Sequence, residues 1–163
     1  MPTNPPSEKT NPSANTFLLK LLLFITAAWF GMIIAIAFEA VIRPKTPELL
    51  PEHRGLMFII TRTVFESFQK IELILCMVSL FIFTRIKKNY LELILPVLIL
   101  IVCLVESFVF MPQLALRSLQ VFQGETLAPS NIHFYNLSAE AIKLLLLLWI
   151  FKEVSNKLTQ SIT

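Results

Sequence analysis

Glu72, Glu106, Glu140 and Lys143 lie within long apolar stretches of a 163-residue chain in which only 15% of residues are charged. A charged side chain at the centre of a hydrocarbon layer costs ~2.5–3.5 kcal/mol or more, so such residues persist where they pair, line a wet cavity or hold an ion. Glu66 and His133 belong to the same candidate set, and Glu39 stands near it. The acids Glu39, Glu66, Glu72, Glu106 and Glu140 outnumber the bases Arg62, Lys70 and Lys143 by two when His133 is neutral. An excess of negative charge of that kind suits a small cation, a metal or a proton.

Spacing adds direction. At 100° per residue, Arg62, Glu66, Gln69 and Lys70 fall within a sector of about 100° on one helix, and His133, Asn136, Glu140 and Lys143 within about 80° on another. Two polar stripes result, and both are expected to turn inward, away from lipid. The plainer alternative is a set of intrahelical ion pairs at i, i+4 and i, i+3 spacing, Arg62–Glu66–Lys70 and Glu140–Lys143, that merely closes the bundle. His133 opens its helix, where a cap or headgroup contact serves as well as ligation. Cys76 and Cys103 both sit in apolar runs, where a free thiol packs as a small hydrophobe. With no cysteine in a loop, no structural disulfide is expected.

The elements that must carry these residues follow from composition. The chain is 55% hydrophobic with a mean hydropathy of +0.71, against an average charged fraction of about 25% in soluble chains. All 11 acids are Glu and only 3 residues are Gly, which favours helix over turn chemistry. Disorder, collagen-like repeats and a disulfide scaffold are excluded. A spanning helix takes about 20 residues, so four spans and their connections use nearly the whole length. The expected fold is an all-α, integral membrane, four-helix antiparallel bundle made of two helical hairpins. Its spans are about 17–42, 56–84, 90–111 and 132–151, within a membrane domain of 17–152. A Pro-rich disordered tail (1–16) precedes it, a loop from Pro112 to Asn131 joins the last two spans, and a polar tail (153–163) follows. Ala35-Ile36-Ala37 mimics a cleavage site, so a cleaved first segment is the competing reading.

Lys and Arg set the orientation. One side collects Lys9, Lys20, Arg85, Lys87, Lys88, Lys152 and Lys157, and the other Arg43, Lys45, Arg54 and Arg117. Both termini are therefore expected in the cytoplasm, which in a bacterium means an inner-membrane protein. Spans one and three then end on the outer side while two and four begin there, so the ionisable residues converge on the outer half of the bundle.

Several functions are disfavoured on residues alone. Haem held between spans commonly needs a pair of His, and only His133 lies in a span while His53 is in a loop. A thiol–quinone oxidoreductase needs exposed cysteine pairs. No H-E-x-x-H, P-loop or nucleophile elbow occurs, and the absence of Asp removes the Ser-His-Asp set. No enzyme activity and no cofactor are expected. The pI near 9 reflects topology signals rather than nucleic acid. The expected partners are the lipid bilayer and either a second copy or another membrane protein. A weak internal echo pairs Glu39, Pro44, Glu66 and Lys70 with Glu106, Pro112, Glu140 and Lys143, the plan of two repeated hairpins.

Four short segments carry a resemblance: Trp29-Phe30-Gly31 in the first span, His53-Arg54-Gly55 before the second, Met111-Pro112 with Arg117 after the third, and Asn131-Ile132-His133 opening the fourth. On these, about Phe17 to Phe151 resembles the domain of unknown function 4149 family of small four-helix membrane proteins, to which the eukaryotic transmembrane protein 205 is similar. The chain departs from the pattern at Phe134, where a Gly is expected, at Asn136 and Glu140, and in keeping Gly31 alone of a glycine pair. The resemblance implies a four-helix membrane protein and no reaction.

The leading functional expectation is transport or sensing of a small cation, metal or proton through the Glu-rich cluster. The alternatives are a structural or assembly subunit of a membrane complex, whose stripes dock on a partner's helices, and a membrane redox protein with haem or quinone.

Overall fold

The computed structural model describes residues 12–42, 54–86, 93–123 and 129–162. They form α1 (Pro12–Ile42), α2 (Arg54–Ile86), α3 (Ile94–Val105), a π-helical turn (Glu106–Phe110), α4 (Met111–Phe122) and α5 (Ile132–Ile162). The π turn and α4 continue α3, so the bundle has four rods, each with a stretch long and apolar enough to cross a membrane: Ala14–Phe38, Arg62–Ile86, Ile94–Arg117 and Ile132–Gln160. The chain is an all-α, multi-pass membrane protein.

Each rod buries one stripe at helical spacing. On α1 it is Leu22, Ile25, Trp29 and Ile33, and on α2 it is Phe68, Glu72, Cys76, Ser79 and Phe83. Ile99, Cys103 and Glu106 form the stripe on the third rod, and Lys143, Leu147, Ile150 and Val154 that on α5. The opposite faces show large apolar side chains to the surroundings, Phe24, Ile74, Phe108 and Leu145 among them, as lipid contact requires. Because lipid is as apolar as this core, tight packing and polar pairing hold the rods together rather than the hydrophobic effect.

α1 packs on α2 and α5, and α3 also packs on α2 and α5. The rods thus stand at the corners of a square with α2 diagonal to α5. α2 and the third rod run antiparallel: Glu72 lies beside Cys103 and Glu106, whereas Cys76, one turn on, reaches the carbonyl of Pro96.

Three boundaries differ from the sequence expectation. Helix α1 begins at Pro12, inside the expected tail, because proline at a first helical position forfeits no hydrogen bond. The expected loop from Pro112 is helical to Phe122. Pro112 has no N–H and its ring crowds the carbonyl four residues back, and the wide turn, with Met111 N–H bonded to Glu106 O, lets the rod pass the proline. Helix α5 continues through the expected C-terminal tail to Ile162, since Val154 is buried and Leu158 packs on the core. The remainder of the expected N-terminal tail lies outside the described residues.

Candidate functional site

Lys143 reaches from α5 across the diagonal of the square to Glu72 on α2, with its Nζ donating to Oε1 at 2.9 Å and Oε2 at 2.8 Å. The same ammonium lies 2.6 Å from Oε2 of Glu106 on the third rod. Glu140, three residues before it on α5, approaches to 3.0 Å, but this Oε2 makes no hydrogen bond, so the contact is an ion pair by distance only. Trp29 supplies the fourth corner, its indole Nε1–H donating to Glu72 Oε1 at 2.8 Å. All four rods therefore meet at one point, which falls near mid-length of each candidate span, with roughly 15 Å of helix on either side.

Lys143 is 0% exposed, Glu106 1% and Glu72 2%. One ammonium serves three carboxylates, a formal excess of two negative charges in a dry interior. Buried ion pairs repay their desolvation only when the remaining lone pairs are also satisfied. Here they are not, because Oε1 of Glu106 is buried and has no hydrogen-bond partner. The arrangement is incomplete in a specific way: it lacks positive charge or protons.

Two thiols adjoin the carboxylates. Cys103 places its sulfur, with one oxygen each of Glu72 and Glu106, in a set whose members all lie within 4.8 Å of one another. Cys76, whose sulfur contacts the carbonyl oxygen of Pro96 at 4.0 Å, neighbours Cys103. Both cysteines are free and buried. Beyond them a void of about 10 Å³, room for a single water, is lined by Thr26, Trp29, Cys76 and Ser79 together with apolar side chains.

The π turn that opens at Glu106 belongs to this geometry. Such wide turns insert an extra residue into a helix and recur at functional sites. Ile99, Cys103 and Glu106 keep one inward line, and the register then shifts, so Glu106 is the last fully buried residue of its rod among those described.

Of the six residues singled out from sequence, Glu72, Glu106, Glu140 and Lys143 come together and Glu66 and His133 do not. Glu66 pairs with Arg62 at 2.6 Å on the outward face of α2, the two side chains 48% and 49% exposed, and Lys70 is exposed as well. The expected inward turn of that stripe is thus corrected: Glu66 precedes Glu72 by six residues, which is about 240° of rotation, so both cannot face the core. Here the plainer reading, an intrahelical pair, applies. His133 is exposed at the start of α5, ten residues and roughly 15 Å of helix from Lys143. The side chain of Glu39 lies outside the described residues. The placement of Glu106 is corrected too, from late in its span to the middle, because the rod continues past Pro112.

Sequence reasoning missed two participants. Trp29 was legible as an indole in an otherwise apolar span, whose N–H needs an acceptor when buried. Cys103 fits a packing role by its apolar run, yet its i, i+3 spacing to Glu106 is visible in the sequence. Among the resembling segments, Trp29 joins the site, Pro112 follows the wide turn, and Gly31 is exposed with space for a Cβ. His53 lies outside the described residues. Comparison of the chain with family models, with curated proteins and with solved structures finds no match.

Proposed function

We propose that this multi-pass membrane protein binds a small cation at the Glu72–Glu106–Glu140–Lys143 cluster and transports or senses it. The observation that carries the reading is the buried, unpartnered Oε1 of Glu106 beside a single ammonium that three carboxylates share. Added positive charge would relieve the excess, and the site is held ready by Lys143, a tethered cation that a mobile one can partly replace. Glu140, with its side chain 25% exposed, is the route by which a cation reaches the sealed carboxylates. The positive-inside count puts both termini in the cytoplasm, and on that topology Glu140 is approached from the outer side.

Purified protein in proteoliposomes tests this directly. Flux or binding of protons, monovalent and divalent cations is compared between the parent and Glu106→Gln and Glu140→Gln. The expected result is a cation-dependent signal that both substitutions reduce, Glu106→Gln the more. Unchanged signals, or no signal from the parent, defeat the proposal.

A second reading rests on the outward charges of α2. Arg62, Glu66 and Lys70 are exposed within a candidate span, where lipid contact is costly, and a partner's polar helix face would cover them. On this reading the protein is an assembly subunit. Extraction in a mild detergent yields a complex, and Arg62→Ala with Glu66→Ala dissolves it. A protein that elutes alone before any substitution refutes the assembly role.

A further inference from the structure

We propose that Glu72, Cys103 and Glu106 form a binding site for one divalent, thiophilic metal ion of the zinc class. The inference rests on the cation-binding reading above and narrows it from any small cation to a soft-metal ion.

The donor set is built from two rods. Cys103 and Glu106 stand one helical turn apart on the third rod, and Glu72 faces them from α2, every side chain at most 2% exposed. One donor atom from each lies within 4.8 Å of the other two. Zinc bonds of about 2.0–2.2 Å to carboxylate oxygen and about 2.3 Å to thiolate sulfur hold ligand atoms roughly 3.5 Å apart in a tetrahedron. The three donors therefore need to draw in by no more than about 1.3 Å, a movement that rotamer adjustment provides. Three protein ligands leave a fourth position open, the pattern of zinc sites that exchange a ligand.

A separate observation points to an ion rather than to a passive acidic cluster. Oε1 of Glu106 is buried with no hydrogen-bond partner, while Lys143 already satisfies Oε2 and both oxygens of Glu72. A ligand-ready oxygen thus coexists with the ammonium. Charge argues the same way, since three carboxylates less one ammonium leave two formal negative charges, and a divalent ion that displaces the thiol proton halves that excess. Sulfur decides the class of ion: magnesium and calcium take oxygen ligands, whereas a thiolate selects zinc and its neighbours. Coordination replaces the S–H bond of Cys103 by a sulfur–metal bond and releases one proton.

Cobalt(II) is the probe, because a cysteine-bound cobalt ion shows an intense near-ultraviolet band from sulfur-to-metal charge transfer. Purified full-length protein in detergent is titrated with cobalt(II), then with zinc(II) as competitor, with magnesium(II) and sodium as hard-ion controls. The expected result is a charge-transfer band that saturates at one ion per chain and is displaced by zinc. Cys103→Ser removes the band and weakens zinc binding by at least ~10-fold, the loss typical of removing even an outer-shell partner. Glu106→Gln weakens it similarly, with unchanged helical circular dichroism showing that both variants fold. Cobalt binding without the band, or unchanged zinc affinity in Cys103→Ser, overturns the metal assignment; if hard cations still bind and Glu106→Gln abolishes that binding, the broader cation reading survives. No binding of any of these ions overturns the metal assignment and confines the broader reading to protons, which the flux measurement tests separately.

Discussion

Lys143 and Glu72 sit on diagonal rods of the bundle and are joined by two hydrogen bonds, from Nζ to both carboxylate oxygens, with neither side chain accessible to the surroundings. The pair spans the axis of the molecule and ties two rods that each pack mainly on α1 and on the third rod.

Removing one member leaves an uncompensated buried charge. Lys143→Met is expected to lower stability by about 3–5 kcal/mol, the cost typical of breaking a buried pair, and Glu72→Gln by less, because two further carboxylates still hold the ammonium. Thermal or denaturant unfolding in mild detergent measures both, and a double-mutant cycle isolates their coupling. Under the metal proposal, Lys143→Met also has a signature that a purely structural lysine lacks: zinc restores part of the lost stability, because the ion takes the place of the ammonium among the carboxylates.

Trp29→Phe keeps most of the ring and deletes only the Nε1–H that Glu72 accepts. Hydrogen bonds to charged groups contribute about 1.5–3 kcal/mol, so a loss in that range is expected from the same unfolding measurement. A change below ~0.5 kcal/mol would mean that the indole is held by packing alone.

Exposed charges should behave oppositely. The Arg62–Glu66 pair lies half exposed on the outward face of α2, away from the buried carboxylates. Arg62→Ala with Glu66→Ala, and His133→Ala separately, are expected to leave the stability of the isolated protein and its cation binding within experimental error. A cation-binding defect from either would place the site on the outward stripe rather than at the bundle axis.

Val154 tests the length of α5. It is 1% exposed and lies beyond the span expected from hydropathy. Val154→Ala should cost roughly 1–3 kcal/mol, the lower part of the range for trimming a buried aliphatic side chain, whereas the neighbouring exposed Glu153→Ala should cost almost nothing. Equal effects from the two would show that this segment is a solvated tail.

The sequence by itself determined four apolar helical rods and singled out Glu72, Glu106, Glu140 and Lys143, because both facts depend only on local hydropathy and on the cost of isolated charge in hydrocarbon. It did not determine where the third rod stops: an apolar helix carries on past Pro112 once a wide turn relieves the clash, and that turn depends on packing as well as on the residue type. Nor did it determine which polar stripe faces inward. A stripe of about 100° fits either orientation of its helix, and the choice fell to Phe68, Cys76 and Ser79, which turn α2 so that Glu72 enters the core and Arg62, Glu66 and Lys70 stay out. The joining of Trp29, Cys103 and Lys143 to the same carboxylates was decided only by tertiary structure. Contacts between residues 43 and 71 positions apart are set by how rods rotate and dock against one another, and no local spacing along the chain encodes that.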